Sequence, residues 1–175
     1  MKYFLIETDE KNRIPYNINK NRAIDLRYAN KANVKKIPNC CIVDMQIPRE
    51  VFYPDIMVSP LLLVSEIFAR VITMYMPQIY FKTIYLLHYE SGEHQTYFMP
   101  FLEEIDCLSD KTVRNRGRTE LKQILLRKEV VNKRPIFRVQ GFTHPYVIGR
   151  EDLVESILRR RVRGITLAEV ETEEN

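Results

Sequence analysis

Histidines and cysteines are the residues of this sequence best suited to metal binding or covalent catalysis. His88 and His94 fall on opposite strands of a predicted hairpin, where together with Cys107 or Glu90 they can imitate a metal site. No pair among them has the Cys-x-x-Cys or His-x3-His spacing that makes such a site specific. We therefore expect hydrogen-bonded or solvated histidines, with no metal and no cofactor.

Other residue types that support catalysis occur in patterns typical of structural roles. Cys40 and Cys41 lie in a strand pattern, where cysteine usually behaves as a small apolar residue. Glu103, Glu104 and Asp106 offer an acid–base pair, but acids in a surface connection are usually solvated. No GxGxxG, GxxxxGK[S/T] or GxSxG motif occurs. The sequence therefore predicts a protein that is not an enzyme.

Composition limits the class of protein. The 175 residues are 45% hydrophobic and 29% charged, which excludes wholesale disorder. No apolar run approaches the roughly 18 residues of a membrane span, and the first residues lack the pattern of a signal peptide. The three cysteines are an odd number, which favours a reducing compartment over a disulfide framework. We expect a cytoplasmic protein.

Charge is segregated along the chain. The net charge is +4, yet residues 41–110 carry −7 and residues 111–163 carry +10. If each segment folds locally, two faces of opposite sign result, and such faces steer charged partners. Alternatively, the two segments pair with each other across the fold. The sequence leaves both interpretations open.

Two basic segments support an alternative function, nucleic-acid binding. Residues 111–118 contain four cations, including Arg114, Arg116 and Arg118, and residues 159–163 contain four more. Aromatic residues do not interleave with either segment, and the pI of about 8.9 is only moderately basic. Basic segments of this kind are commonly solvated surface; alternatively, they bind an acidic protein partner.

The order strand, helix, strand is predicted twice. In the first unit, Ile56–Val58 is a strand, Ser59 is an N-cap, Pro60 is the first helical residue and Ile79–Tyr89 is the second strand. The predicted apolar stripe of this helix comprises Leu63, Ile67, Val71 and Met74.

The second unit has the same order. A strand over Pro145–Ile148 leads to a helix that starts at Gly149 and is capped at Gly164, and a closing strand comes after it. An offset of 90 residues aligns the two units and pairs Ile67 with Ile157. We interpret this as a repeated architecture.

The remaining segments complete the predicted fold. Lys2–Glu7 is a strand, and residues 1–39 are expected to be peripheral. Cys40–Ile47 is a further strand, residues 121–139 are a strand pair, and residues 171–175 are a flexible tail. The sequence thus predicts one α+β domain over residues 1–175. Its antiparallel and mixed sheets are packed by two amphipathic helices, with two strand–helix–strand units plus hairpins.

A dense group of tyrosines and acids surrounds the predicted hairpin of Ile79–Tyr89 with Gln95–Leu102. Exposed tyrosine beside glutamate makes a good protein-binding patch. The predicted partner-binding residues are Glu90, Glu93, Tyr97, Glu103, Glu104, Asp106, Arg114, Arg116 and Arg118.

The sequence also resembles a known family. Residues 54–66 (PDIMVSPLLLVSE) are similar to the entry to the first helix in the bacterial Imm11 (DUF1629) immunity proteins. The strand of Ile79–Leu87, the tyrosine-rich strand of Tyr97–Leu102 and the segment Ile105–Leu108 resemble the next three elements of that family. Residues 136–167 resemble its closing strand–helix–glycine–strand unit, so the resemblance covers about residues 40–170.

The resemblance implies a cytoplasmic, non-enzymatic protein that binds and neutralises a secreted polymorphic toxin in the producing cell. The toxin would be the product of a neighbouring gene. The family provides no catalytic residues, and its toxin-binding residues are not fixed by a motif.

Overall fold

The computed structural model describes residues 1–12, 18–19, 22–45, 52–115, 117 and 119–173. Its strands are β1 (Tyr3–Thr8), β2 (Cys40–Met45), β3 (Ile56–Met57), β4 (Leu63–Val64), β5 (Phe81–His88), β6 (His94–Pro100), β7 (Glu104–Ile105), β8 (Val113–Arg114), β9 (Leu121–Gln123), β10 (Leu125–Arg127), β11 (Ile136–Val139), β12 (Val147–Arg150) and β13 (Ile165–Glu173). Its α-helices are α1 (Glu66–Tyr75), α2 (Lys128–Val131) and α3 (Glu151–Arg159), and its 3-10 helices span Glu10–Asn12, Leu26–Tyr28 and Lys31–Lys36. The predicted α+β class is confirmed.

The first sheet has five strands in the order β2-β5-β6-β4-β3. β5 and β6 form the predicted antiparallel hairpin, and β2 runs parallel to β5. The period-two pattern of β5 buries alternate residues and leaves the others half-buried, as expected for a strand with one covered face.

The second sheet has six strands in the order β10-β13-β1-β12-β11-β7, and β8 pairs with β9 as a separate ribbon. β1 is antiparallel to both β12 and β13. The prediction of a peripheral N-terminal strand is therefore wrong for β1, because its pairing depends on strands from the other end of the chain, which sequence periodicity does not reveal.

Helix α1 begins later than predicted. Ser65 is its N-cap, and the Ser65 hydroxyl accepts a hydrogen bond from the Phe68 amide. The preceding run of Leu61–Val64 is entirely buried, and its last two residues form β4. A continuous apolar run suits a strand covered on both faces, so the predicted start at Pro60 is wrong.

The two helices are equivalent at a different offset from the one predicted. Both bury the same four helical positions, and α3 starts 85 residues after α1. The buried residues are Phe68, Ala69, Val71 and Ile72 in α1, and Leu153, Val154, Ser156 and Ile157 in α3. The offset of 90 is wrong because Ile67 is 46% exposed whereas Ile157 is fully buried.

Two further predictions differ from the structure. Strands occur within residues 121–139, but β10 pairs with β13 and β11 pairs with β12, and helix α2 lies between them. Residues 171–173 belong to β13 rather than to a flexible tail, and residues 174–175 lie outside the described residues. Residues 46–47 of the second predicted strand also lie outside them.

Three hydrophobic clusters hold the elements together. The first lies where α1 and α3 pack on both sheets, and it includes Ile6, Val64, Phe68, Val147 and Leu153. The second lies on the opposite face of the five-stranded sheet, where Ile18, Ile24 and Ile37 cover it. The third lies on the opposite face of the six-stranded sheet. Both sheets are therefore positioned by the same helical layer.

Candidate functional site

The acidic connection after β6 is paired with arginines from the basic half of the chain. β7 runs parallel to β11, which places the carboxylates of residues 103–106 beside residues 127–138. The ion pairs are Glu103 with Arg134 at 3.5 Å, Glu104 with Arg138 at 3.3 Å, and Asp106 with Arg127 at 3.5 Å. For these three predicted partner-binding acids, the structure shows the pairing of acidic and basic segments that the sequence left open.

Arg138 is the most enclosed of these arginines. Its side chain is 16% exposed, and its Nη1 donates to the carbonyl of Ala29 at 3.1 Å. Burial lowers the pKa of Arg138, and the neighbouring Glu104 carboxylate raises it. Arg138 also lines a cleft of about 290 Å³ between the two sheets. The hydrogen bond from Arg138 to Ala29 links residues 103–106 to the segment before β2, so Arg138 has a structural role.

The prediction that Tyr97 belongs to an exposed patch is wrong. Tyr97 is 3% exposed and packs in the second hydrophobic cluster. Its hydroxyl donates to the carbonyl of Pro54 at 2.7 Å, and burial raises its pKa. The strand alternation decides this outcome, because Tyr97 pairs with the fully buried Ile84 on the covered face.

Glu90 and Glu93 remain on the surface, in the turn between β5 and β6. No ion pair in the described part of the chain involves either carboxylate. The turn is closed by hydrogen bonds of His88, whose amide donates to the carbonyl of Glu93 at 2.8 Å. The two negative charges thus lie at the end of a hydrogen-bonded hairpin.

Helix α1 lies on one face of the five-stranded sheet, and the half of that face nearest the turn is exposed. Helix α1 packs against β6 near Phe98, but no element among the described residues covers the face further toward the turn. There Ile42 lies next to Tyr85, and Tyr85 lies next to Thr96. Ile42 is 62% exposed, and Tyr85 contacts the ring of His94 edge-on. We call this region the hairpin surface; it comprises Ile42, Tyr85, Leu87, Tyr89, Glu90, Glu93, His94 and Thr96.

The histidines and cysteines considered for catalysis are dispersed. His88 is buried with its Nδ1 3.0 Å from the Ser91 hydroxyl, whereas His94 faces the hairpin surface. Cys107 is fully buried, and burial raises its pKa to about 11, which disfavours the reactive thiolate. Within the described residues, no group of three or more His, Cys, Asp or Glu side chains is arranged to hold a metal ion.

The two basic segments lie far apart. Lys111 pairs with Glu173 at the end of β13, and Arg163 lies two residues before the start of the same strand. Eight strand steps of roughly 3.3 Å separate those ends by about 26 Å. Arg114 is exposed, with its guanidinium 5.7 Å from the centre of the Phe142 ring. Arg116 and Arg118 lie outside the described residues.

Sequence reasoning missed Ile42, Tyr85 and His94 as members of one surface. The alternation of β2 and β5 is visible in the sequence, but the parallel pairing that places Ile42 beside Tyr85 joins residues 43 positions apart. The exposed side of that alternation is the signal that could have found them.

No protein-family model matches the chain, and no curated protein is significantly similar to it. Within the described residues, none of the helices combines the length and apolar character needed to cross a lipid bilayer.

Proposed function

We propose that this protein binds and neutralises a toxin encoded by a neighbouring gene, and that it acts in the cytoplasm by covering the toxin's surface rather than by catalysis. This is the role implied by the resemblance to the Imm11 immunity proteins. The hairpin surface is the proposed contact region.

The observation that carries the proposal is the open half-face of the five-stranded sheet. Aromatic and aliphatic side chains on a rigid support are typical interface anchors, and an acidic rim beside them selects a basic partner. Ile42, Tyr85 and Tyr89 supply the anchors, and Glu90 and Glu93 supply the rim. Uncompensated surface charge of one sign also accelerates association with an oppositely charged protein.

Co-expression with the product of the adjacent gene tests the proposal. We expect a stoichiometric complex that survives size-exclusion chromatography and protects cells from that product. Tyr89→Ala should weaken the complex by about tenfold, because exposed aromatic anchors commonly dominate interface energetics. Tyr89 is 76% exposed, so its removal should leave the fold intact.

Tyr80→Ala is the matched control. Tyr80 is 60% exposed and precedes β5, at the end of the hairpin opposite the turn. Binding by this variant should equal that of the parent protein. Absence of any complex, or equal loss in both variants, would contradict the proposed function.

A further inference from the structure

The two main sheets end in four edge strands of very different length. β3 and β7 have two residues each and β10 has three, whereas β2 has six. β10 is additionally bridged by Leu108. A sheet edge presents a row of unpaired amide and carbonyl groups to which another strand can bind. β2 is therefore the one long template among the described edges.

The backbone of β2 shows which groups are available. The Asn39 carbonyl accepts from the amide of Thr83 at 2.9 Å, so Asn39 faces β5. Alternation along a strand then directs the amides and carbonyls of Cys40, Ile42 and Asp44 away from β5. Within the described part of the chain, no second strand pairs with that side of β2.

The side chains of β2 keep this edge rigid and open. Cys41, Val43 and Met45 are buried in the second hydrophobic cluster, which fixes the strand. Ile42 is 62% exposed. Of the features that commonly block natural edges, lysine, proline and a bulge are absent from residues 40–45, and Asp44 is the one charged residue there.

The charges near β2 indicate which kind of segment can bind at its edge. Asp44 lies at the end of β2 beside Leu87, and one of its carboxylate oxygens is enclosed without a hydrogen-bond partner among the described residues. Because β2 is parallel to β5, that end lies beside the turn that carries Glu90 and Glu93. Lys35 and Lys36 lie at the other end, before Ile37. An incoming strand with a cation near Asp44 is electrostatically complementary.

A second copy of the chain fits less well. An antiparallel two-fold pairing centred on Ile42 or Val43 places Asp44 opposite Cys40 or Ile42 of the other copy, so Asp44 gains no cation. A two-fold centred on Cys40 would place it opposite Lys36, but Lys36 belongs to the 3-10 helix Lys31–Lys36 and not to the extended strand. A two-fold centred on Asp44 places two carboxylates opposite each other, which is destabilising.

We propose that the partner adds one extended segment to the free edge of β2 and places a lysine or arginine beside Asp44. The segment continues the five-stranded sheet, with its apolar residues packed on Ile42. This inference rests on the proposed function only in taking the partner to be the toxin.

Amide hydrogen exchange measured by NMR tests the pairing directly. In the free protein, the amides of Ile42 and Asp44 should exchange rapidly, while that of Val43 is protected. An acetylated Lys-Val-Arg-Val-Thr-Val peptide should slow exchange at Ile42 and Asp44 by about tenfold or more, because strand pairing buries both amides. The same peptide N-methylated on its pairing edge is the control and should have no effect.

Two substitutions separate the backbone from the side chain. Ile42→Pro removes an outward amide, and proline is tolerated where an edge amide faces solvent. It should weaken binding of the peptide and of the neighbouring gene's product by about tenfold, whereas Ile42→Thr, which keeps the amide, should cost about threefold or less. Protection of the Val43 amide in both variants reports that β2 is intact.

The outcomes distinguish failure of the strand-addition proposal from failure of the proposed function. A stable complex with the neighbouring gene's product that leaves Ile42 and Asp44 unprotected would overturn the strand addition and leave the proposed function standing. Protection by the peptide without any such complex would support strand addition and reject the proposed function. A free protein that is a dimer with both amides already protected would assign the edge to a second copy and overturn the inference.

Discussion

Two acidic stretches close to each other in sequence have opposite environments in the fold. Residues 103–106 lie against three arginines and form part of the six-stranded sheet's edge, whereas Glu90 and Glu93 stand at the end of a hairpin without an ion-pair partner among the described residues. From the sequence alone, all five carboxylates are predicted to contact a partner. Their environments differ because the fold brings Arg134, Arg127 of β10 and Arg138 of β11 to one stretch, whereas no lysine or arginine among the described residues pairs with the other.

The difference shows where charge is available for a partner. A carboxylate already paired with an arginine must lose that partner before it binds another cation, whereas an unpaired one in the turn does not. Four variants, one of them a double substitution, test this contrast in decreasing order of expected effect.

Arg138→Ala should produce the largest effect. Removing a largely buried guanidinium leaves Glu104 and the carbonyl of Ala29 without their donor, which should reduce the free energy of unfolding by about 2–3 kcal/mol. Urea denaturation measures the change. Arg70→Ala removes a solvent-exposed pair with Glu66 and should cost less than about 0.5 kcal/mol. Equal losses of unfolding free energy in the two variants would show that the contacts of Arg138 stabilise the fold no more than an exposed ion pair on a helix does.

Reversing the charge of the turn with Glu90→Lys and Glu93→Lys should affect binding and not stability. Association with the neighbouring gene's product should slow by about tenfold at low salt, because electrostatic steering is lost. Stopped-flow mixing at two salt concentrations measures this. An association rate that is unchanged at low salt would show that the charges of the turn do not steer the partner and that the turn is not part of the interface.

Tyr97→Phe tests the buried side of the same hairpin. Loss of the hydroxyl leaves the Pro54 carbonyl without its donor and should cost about 1 kcal/mol of unfolding free energy. Affinity for the partner should be unchanged in the folded variant, as measured by calorimetry. Weaker partner binding with an unchanged free energy of unfolding would show that Tyr97 contributes to the interface.

Glu103→Gln should have the smallest effect. Its ion pair with Arg134 is half-exposed, and such pairs contribute roughly 0–0.5 kcal/mol. Thermal unfolding at neutral pH should show little change, and partner binding none. A tenfold loss of affinity would show that the connection contacts the partner despite its internal pairing.

The sequence reveals the local elements better than their partners. The alternation around Ile84 and the turn at Glu90–Glu93 are sufficient to predict the β5–β6 hairpin, because its contacts are local. The run before Ser65 is harder to predict, because a short apolar run fits both a helix and a buried strand.

The candidate site was predictable only in part. Glu90 and Glu93 lie in a turn, and turns are exposed wherever the strands pair. The burial of Tyr97 depends on which face of β6 the segment before β2 covers, and the edge position of β2 depends on the order of five strands. Both are properties of contacts distant in sequence, which periodicity does not encode.

The position of β1 sets the order in which the molecule becomes complete during translation. The five-stranded sheet is built from residues 40–100 and has all its strands once that part has left the ribosome. β1 precedes both of its neighbours in the chain, and these neighbours end at residues 150 and 173. β1 therefore has no neighbour to pair with in the six-stranded sheet until β12 has been synthesised, and removing residues 1–8 would divide that sheet into a two-stranded and a three-stranded part.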